Sequence, residues 1–262
     1  MAAAVSFAPS TVPAPKTPAE QRRFYEEQGY LLVKAVLPLD ECAARRQELH
    51  DLAARLRAKK NINATWRGSH LSEEESKDLE VWHCHDVQFY LASFSRLLVD
   101  PRLLDPIANL IGENIQLHHT KMFIKPPEKG SPFPMHQDYP YFPHERNSMV
   151  AAILHFDDAP IEKGCVRVVP GSHKLGPLPT EPDGLYLSPQ RFPIAEATPC
   201  PAEAGDLLIF TYLTIHGSGI NTSQEARTTC LFQLRDPTDK PTKDTHRSRG
   251  QGMMLRGIDP DA

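Results

Sequence analysis

Met135-His136-Gln137-Asp138, completed far downstream by Ile215-His216-Gly217-Ser218, is the stretch on which the reading of this chain turns. On an extended strand His136 and Asp138, two apart, leave the same face and Gln137 leaves the other. Two imidazoles and one carboxylate brought together from two strands suit a ferrous ion that must keep positions open for oxygen and a co-substrate. Arg227 follows on a further predicted strand, where a fixed guanidinium grips a carboxylate bidentately. The plain alternative is a set of polar residues capping a sheet; the pattern around them argues against it.

Outward from this stretch the chain reads as short strands punctuated by Pro and Gly, at 115–124, 134–139, 149–156, 165–169, 206–211, 214–217 and 227–234. Many short strands at modest spacing predict a double-sheet jelly roll, a cupin-like double-stranded β-helix, with its core over about 113–236. The preceding half is helical. Thr17-Pro18-Ala19-Glu20 is a helix start, and the helix runs to Gln28 before Gly29. A strand is expected over 30–36 and a second helix over 39–59, with Cys42, Leu49, Leu52 and Leu56 on one side. Helical spacing returns at Val87, Tyr90, Leu91, Phe94 and Leu98, and a further helix starts at Asp100-Pro101 and stops before Gly112. The chain is thus mainly β with flanking helices: a flexible arm over 1–16, one domain over 17–236 with an N-terminal helical layer, and a loop-like tail over 237–262. The polar segment 61–80 and the stretch 175–199 are candidate covers for the site.

Composition narrows the function classes. The 262 residues carry a net charge of only −4, so neither a basic surplus for nucleic acid nor an acidic tract is present. No apolar run is long enough to cross a bilayer, so no membrane role is expected. The five cysteines are scattered without a Cys-x-x-Cys pair, which fits a reducing, cytoplasmic compartment and leaves any metal to histidine and carboxylate. Oligomeric state is not legible.

Pro134 to Tyr139, Gly164-Cys165, Val169-Pro170-Gly171-Ser172-His173-Lys174 and His216-Gly217-Ser218-Gly219 with Arg227 together resemble the phytanoyl-CoA dioxygenase family. The resemblance implies iron(II)- and 2-oxoglutarate-dependent chemistry on a double-stranded β-helix, with O₂ as second co-substrate. It implies that His136, Asp138 and His216 are the iron ligands and catalytic centre. It also implies that Arg227 binds the distal carboxylate of 2-oxoglutarate, with Ser218 adding a hydroxyl; the alternative for Ser218 is a turn residue in Gly-Ser-Gly. Lys121 is expected on one face with Ile115, Leu117, His119 and Phe123, either lining the co-substrate pocket or snorkelling. His119 reads as a core histidine and His173 as a turn organiser; His83 and His85 look like a metal pair but read as surface, with entrance or substrate residues as the alternative. Leu154 stands where better-known members carry a bulky aromatic, which is expected to alter pocket shape.

The implied reaction is hydroxylation of an unactivated C–H in a small organic substrate, an acyl-CoA thioester or a natural-product intermediate. It is coupled to oxidative decarboxylation of 2-oxoglutarate to succinate and CO₂. Lys240, Lys243, Arg247 and Arg249 are either a meeting place for CoA phosphates or a solvated tail. Two rival functions share the same residues: a non-catalytic jelly roll that senses 2-oxoglutarate or metal, and a cupin-like metal isomerase without the 2-oxo acid.

Overall fold

The computed structural model describes residues 15–59 and 79–262. The arm expected over 1–16 and the cover expected over 61–80 lie, but for their last two residues each, outside the described residues. Helix α1 (Pro18–Gln28) begins as its sequence dictates. The Thr17 hydroxyl accepts from the Glu20 amide and the Glu20 carboxylate accepts from the Thr17 amide, a reciprocal cap. Gly29 closes the helix in a left-handed conformation (φ 80°). Strand β1 (Tyr30–Val33) follows, shorter than expected because the chain turns at Ala35 (φ 53°). Helix α2 (Leu39–Ala58) buries Cys42, Leu49, Leu52 and Leu56. Of the helical spacing over 87–98 only α3 (Ala92–Leu97) is α-helical; Val87–Phe89 is a single 3₁₀ turn. Helix α4 (Pro101–Ile111) is capped by Asp100, whose carboxylate accepts from the Arg102 amide.

The remaining strands are β2 (Trp82–His85), β3 (Ile115–Lys125), β4 (Phe133–His136), β5 (Val150–His155), β6 (Val166–Val168), β7 (Thr198–Cys200), β8 (Leu207–Thr211), β9 (His216–Ser218), β10 (Arg227–Arg235) and β11 (Met254–Arg256). Among the described residues they form two sheets. The larger runs β1-β8-β5-β10-β3-β11, with β2 sharing the outer edge of β3; the smaller runs β4-β9-β6-β7. This is the two-sheet jelly roll the strand spacing predicts. Strands β2, β7 and β11 were not expected. The last lies in the 237–262 tail read as loop, which instead returns to pair with Gln116 and Ile115.

Period-two alternation distributes the large sheet's side chains between two cores. Val150, Ala152, Leu154, Leu207, Ile209, Cys230, Phe232 and Leu234 face the helices and pack with Leu49, Leu52, Phe94, Leu104 and Ile107. Ile153, Phe210, Thr229, Leu231 and Gln233 face inward and line a cavity. Leu154 therefore belongs to the helix-side core, and the residue that shapes the cavity there is its neighbour Ile153.

Strand β3 breaks the alternation. Gln233 pairs with His119 and Leu234 with Leu117, so His118 is an extra residue, a β-bulge. Ile115 and Leu117 consequently face the helices, while His119, Lys121 and Phe123 face the cavity. The single face expected for all five is split by that one inserted residue.

Gly29 anchors the loop leading to His216. Its carbonyl accepts from the Thr211 amide and the Thr214 hydroxyl. A β-carbon there would lie 2.3 Å from His173 Nδ1 and 2.7 Å from Thr214 Oγ1. Gly29→Ala is expected to cost about 2–3 kcal/mol, from the left-handed backbone plus overpacking. A urea midpoint lowered at unchanged slope is the check.

Candidate active site

His136 and His216 end up side by side because they are direct partners across the β4–β9 pair. Cross-strand neighbours hold their β-carbons about 5 Å apart, and here the ring centroids are 4.2 Å apart. Asp138 is delivered differently from expectation. Strand β4 ends at His136, and Asp138 has right-handed helical dihedrals at the start of the Tyr139–Tyr141 3₁₀ turn. Pro140 sets that turn, and the Asp138 and Tyr139 amides both donate to the Tyr212 carbonyl. The carboxylate still converges: its Oδ1 lies 3.6 Å from His136 Nε2 and 3.7 Å from His216 Nε2. Gln137 points away, as its parity requires, and ties the Gly176, Leu178 and Leu213 backbone together.

Both rings are oriented from behind. His136 Nδ1 lies 2.7 Å from the Pro134 carbonyl and His216 Nδ1 lies 3.0 Å from the Thr214 carbonyl. A carbonyl only accepts, so each Nδ1 carries a proton and each Nε2 is the ring nitrogen turned toward Asp138. Burial and then the neighbouring His136 push the His216 imidazole down to about 4. Burial pushes the Asp138 carboxyl up, but His216 and His136 outweigh it and leave it below the usual carboxylate range. At neutral pH the trio is thus an anion and at least one neutral imidazole, a donor set matched to a divalent ion.

The same cavity, about 410 Å³, reaches Arg227 and Ser218. Arg227, at the start of β10, is 4% exposed. Its guanidinium donates to the Gly164 carbonyl, and its Nε has no partner among the described residues. Burial lowers it to about 10, still charged. Opposite it across β3–β10 sits Lys125, fully buried, a residue whose role sequence reading missed. Lys125 Nζ donates to Ser218 Oγ at 2.7 Å and to the Gly219 carbonyl at 2.5 Å. Burial, with Arg227 adding to it, drives the Lys125 ammonium well below its ordinary value. Two buried basic groups share this end without an ion pair to any carboxylate among the described residues. The sequence signal was the period-two spacing from Lys121 to Lys125, which puts both on the inner face.

Lys121 lines the cavity wall with its ammonium 4.9 Å from the Phe123 ring, and burial lowers it to about 8. His83 and His85, expected at the surface, are on β2 and face the cavity, while Trp82 and Cys84 pack toward the helices. His119 is buried but also lines the cavity, joined by His246 from the tail. His173 ties its turn to the end of α1, its ring bonding the Glu26 carbonyl at 3.1 Å, rather than bonding within the turn. The stretch 175–199 covers the outer face of the smaller sheet, where Leu187, Phe192 and Ala197 pack on Met135 and Ile215. It contributes nothing to the cavity wall, because Met135 and Ile215 point opposite to His136 and His216. Three of the four tail cations have local partners: Lys240 with Asp261, Arg247 with Asp244, and Arg249 over Phe89. No described helix is long and apolar enough to cross a membrane.

A jelly roll with this facial His–Asp–His trio and a buried arginine in one cavity defines the class of iron(II)- and 2-oxoglutarate-dependent dioxygenases. The chain belongs to the phytanoyl-CoA dioxygenase family, whose sequence profile matches residues 25–229. It is an enzyme of that class, with Fe(II), 2-oxoglutarate and O₂ as its cofactor and co-substrates. A probable phytanoyl-CoA dioxygenase of Caenorhabditis elegans is 32% identical over 229 residues, 80% of this chain and 72% of that protein. The ectoine dioxygenase of Halomonas elongata is 29% identical over 237 residues, 82% of this chain and 68% of that protein. Among solved structures, the epimerase SnoN in complex with Fe³⁺, α-ketoglutarate and nogalamycin RO superposes with a TM-score of 0.72 at 24% identity. That match covers 91% of this chain and 98% of SnoN, and shows the shared fold.

Proposed function

We propose that the enzyme hydroxylates an unactivated C–H bond of a small organic metabolite, with His136, Asp138 and His216 holding the iron. One observation carries this reading: the trio and the unpaired Arg227 guanidinium open onto the same cavity. The donor set fits the ion, since two Nε2 atoms and one carboxylate oxygen converge and no other acid lines the cavity. Iron bound there supplies O₂ activation, coupling RH + 2-oxoglutarate + O₂ to ROH + succinate + CO₂.

The chain's own residues bind and orient. Arg227 takes the far carboxylate of 2-oxoglutarate bidentately, and Ser218, held by Lys125, adds a hydroxyl beside it. Lys125 itself stands behind that contact and fixes it, with the Phe133 ring 5.2 Å from its ammonium. Lys121 lies four residues along β3, about 13 Å away in an extended strand. That exceeds the reach of one carboxylate, so Lys121 serves the iron end of the co-substrate rather than its far end. The cavity is compact, with His83, His85, His119, Lys121 and Gln233 set into a wall that is otherwise largely aromatic and aliphatic, Phe123, Phe133, Phe142, Ile153 and Leu231 among it. Its limited volume favours a small metabolite over a long acyl chain. Phe210 and Phe133 shield the site from water.

Anaerobic addition of Fe(II) and 2-oxoglutarate is expected to give a weak visible charge-transfer band, followed by succinate release under air. A band without succinate across a broad substrate panel would favour a sensor instead. Arg227→Met is expected to raise the 2-oxoglutarate requirement about 10–100-fold, the worth of a charge-assisted bidentate contact. Its iron content is expected to stay unchanged. An isomerase that does not use the 2-oxo acid would lose little in that variant.

A further inference from the structure

A second group of ligating side chains lies in the wall of the cavity. His85 on β2, His119 on β3 and His246 in the tail bring three ring nitrogens within 4.8 Å of one another. Their ring centroids are 5.6 Å (His85–His119), 5.3 Å (His85–His246) and 4.5 Å (His119–His246) apart. Three elements far apart in sequence thus converge on one point, and the triad described above uses none of them.

We propose that His85, His119 and His246 form a second metal site, one that takes a zinc-class divalent ion and leaves a coordination position open to the cavity. Three imidazoles without a carboxylate suit Zn(II), Ni(II) or Cu(II) better than Fe(II) or Mg(II), and an open fourth position is the usual form of a functional zinc site.

Independent features support a ligating role. His246 sits in the left-handed region (φ 48°), which a residue with a β-carbon occupies only at a cost. That backbone turns its ring onto His118 and His119, and its Nε2 is buried with no hydrogen-bond partner among the described residues. His119 Nδ1 lies 2.8 Å from His118 Nδ1. One ring must donate and the other accept. With His119 donating, its Nε2 lone pair is free and His118 becomes the outer partner that metal-bound histidines normally keep. The bulge at His118 is what makes two consecutive residues available for this.

Lys121 opposes a dication here, since its ammonium acts on all three rings. The Asp86 carboxylate acts on His246 in the opposite sense, and its Oδ1 has no partner among the described residues. An anionic oxygen entering from the cavity suits the open position, between the ion and Lys121.

The inference rests on these residues alone and not on the reaction assigned above. Metal-free enzyme is dialysed to equilibrium against Zn(II), and bound zinc is measured per chain. Wild type is expected to hold one equivalent more than either His246→Ala or His85→Asn. Loaded with Co(II), the extra equivalent is expected to carry the intense visible absorption of a four-coordinate site, lost in both variants. Two variants from separate elements guard against misfolding of one. Equal uptake by wild type and either variant would overturn the proposal, whatever the iron triad binds.

Discussion

Asp138→Ala is expected to abolish iron retention and turnover together while leaving the metal-free fold intact. Two imidazoles remain at a 4.2 Å ring separation, but the only negative charge in the donor set is gone. Changes to groups that merely orient metal ligands cost 10–100-fold in affinity, so removing a charged ligand is expected to exceed about 100-fold. Stability should change little and in the same direction. Without metal, His216 and His136 outweigh burial and hold the Asp138 carboxyl below its usual range, so the ionised group favours the native state and its removal costs that small increment. The variant is therefore expected to stay folded and slightly less stable than wild type in the presence of chelator, with iron per chain near zero after anaerobic reconstitution. Succinate release persisting at more than about one part in a hundred would remove Asp138 from the iron site.

The two histidines and the carboxylate were legible because cross-strand pairing and a short local spacing left few ways to keep them apart. The geometry of Asp138 was not, since the 3₁₀ turn at Tyr139–Tyr141 competes with strand continuation and Pro140 decides the outcome. Helix α1 was legible to the residue because its cap is purely local: Thr17, Pro18, Glu20 and Gly29 carry all the information. Errors gathered on β3, where the bulge at His118 reverses the facing of every residue to one side of it. Period-two reading has no means of sensing an inserted residue whose cause is the partner strand. The same non-locality hid β2, a strand only because it pairs with Lys121 to Ile124. It hid β11 as well, and with these the histidines 83, 85 and 246 as cavity residues. Lys125 escaped for another reason: the expected strand stops at residue 124, whereas β3 runs one residue further and gives Lys125 the inward parity of Lys121.

Acid is expected to unfold the metal-free protein well above the range of its carboxylates. Burial first, then Arg227, pushes His155 down to about 4, and burial pushes His118 down to about 3, with His119 beside it also well below the ordinary value. Each is neutral in the native state and free to protonate near 6.5 in the unfolded chain. Between these values the unfolded state binds protons that the native state refuses, so stability falls as pH drops from about 6.5 toward 4 and levels off beneath. For His155 the loss at pH 5 is about 2 kcal/mol. His118 and His119, bonded to each other at 2.8 Å, act as one group and add about as much again. Against a total stability on the order of 5–15 kcal/mol, this is a large fraction. His155 is the clean test, because it is fully buried with an unpartnered Nε2 and stands outside both histidine clusters. His155→Met keeps the volume and removes the proton acceptor. Its urea-derived stability is expected to drop between pH 7.5 and pH 5 by about 2 kcal/mol less than wild type does. An identical drop in both proteins would mean that His155 already protonates freely in the folded state, and the acid sensitivity would then have to come from His118 and His119.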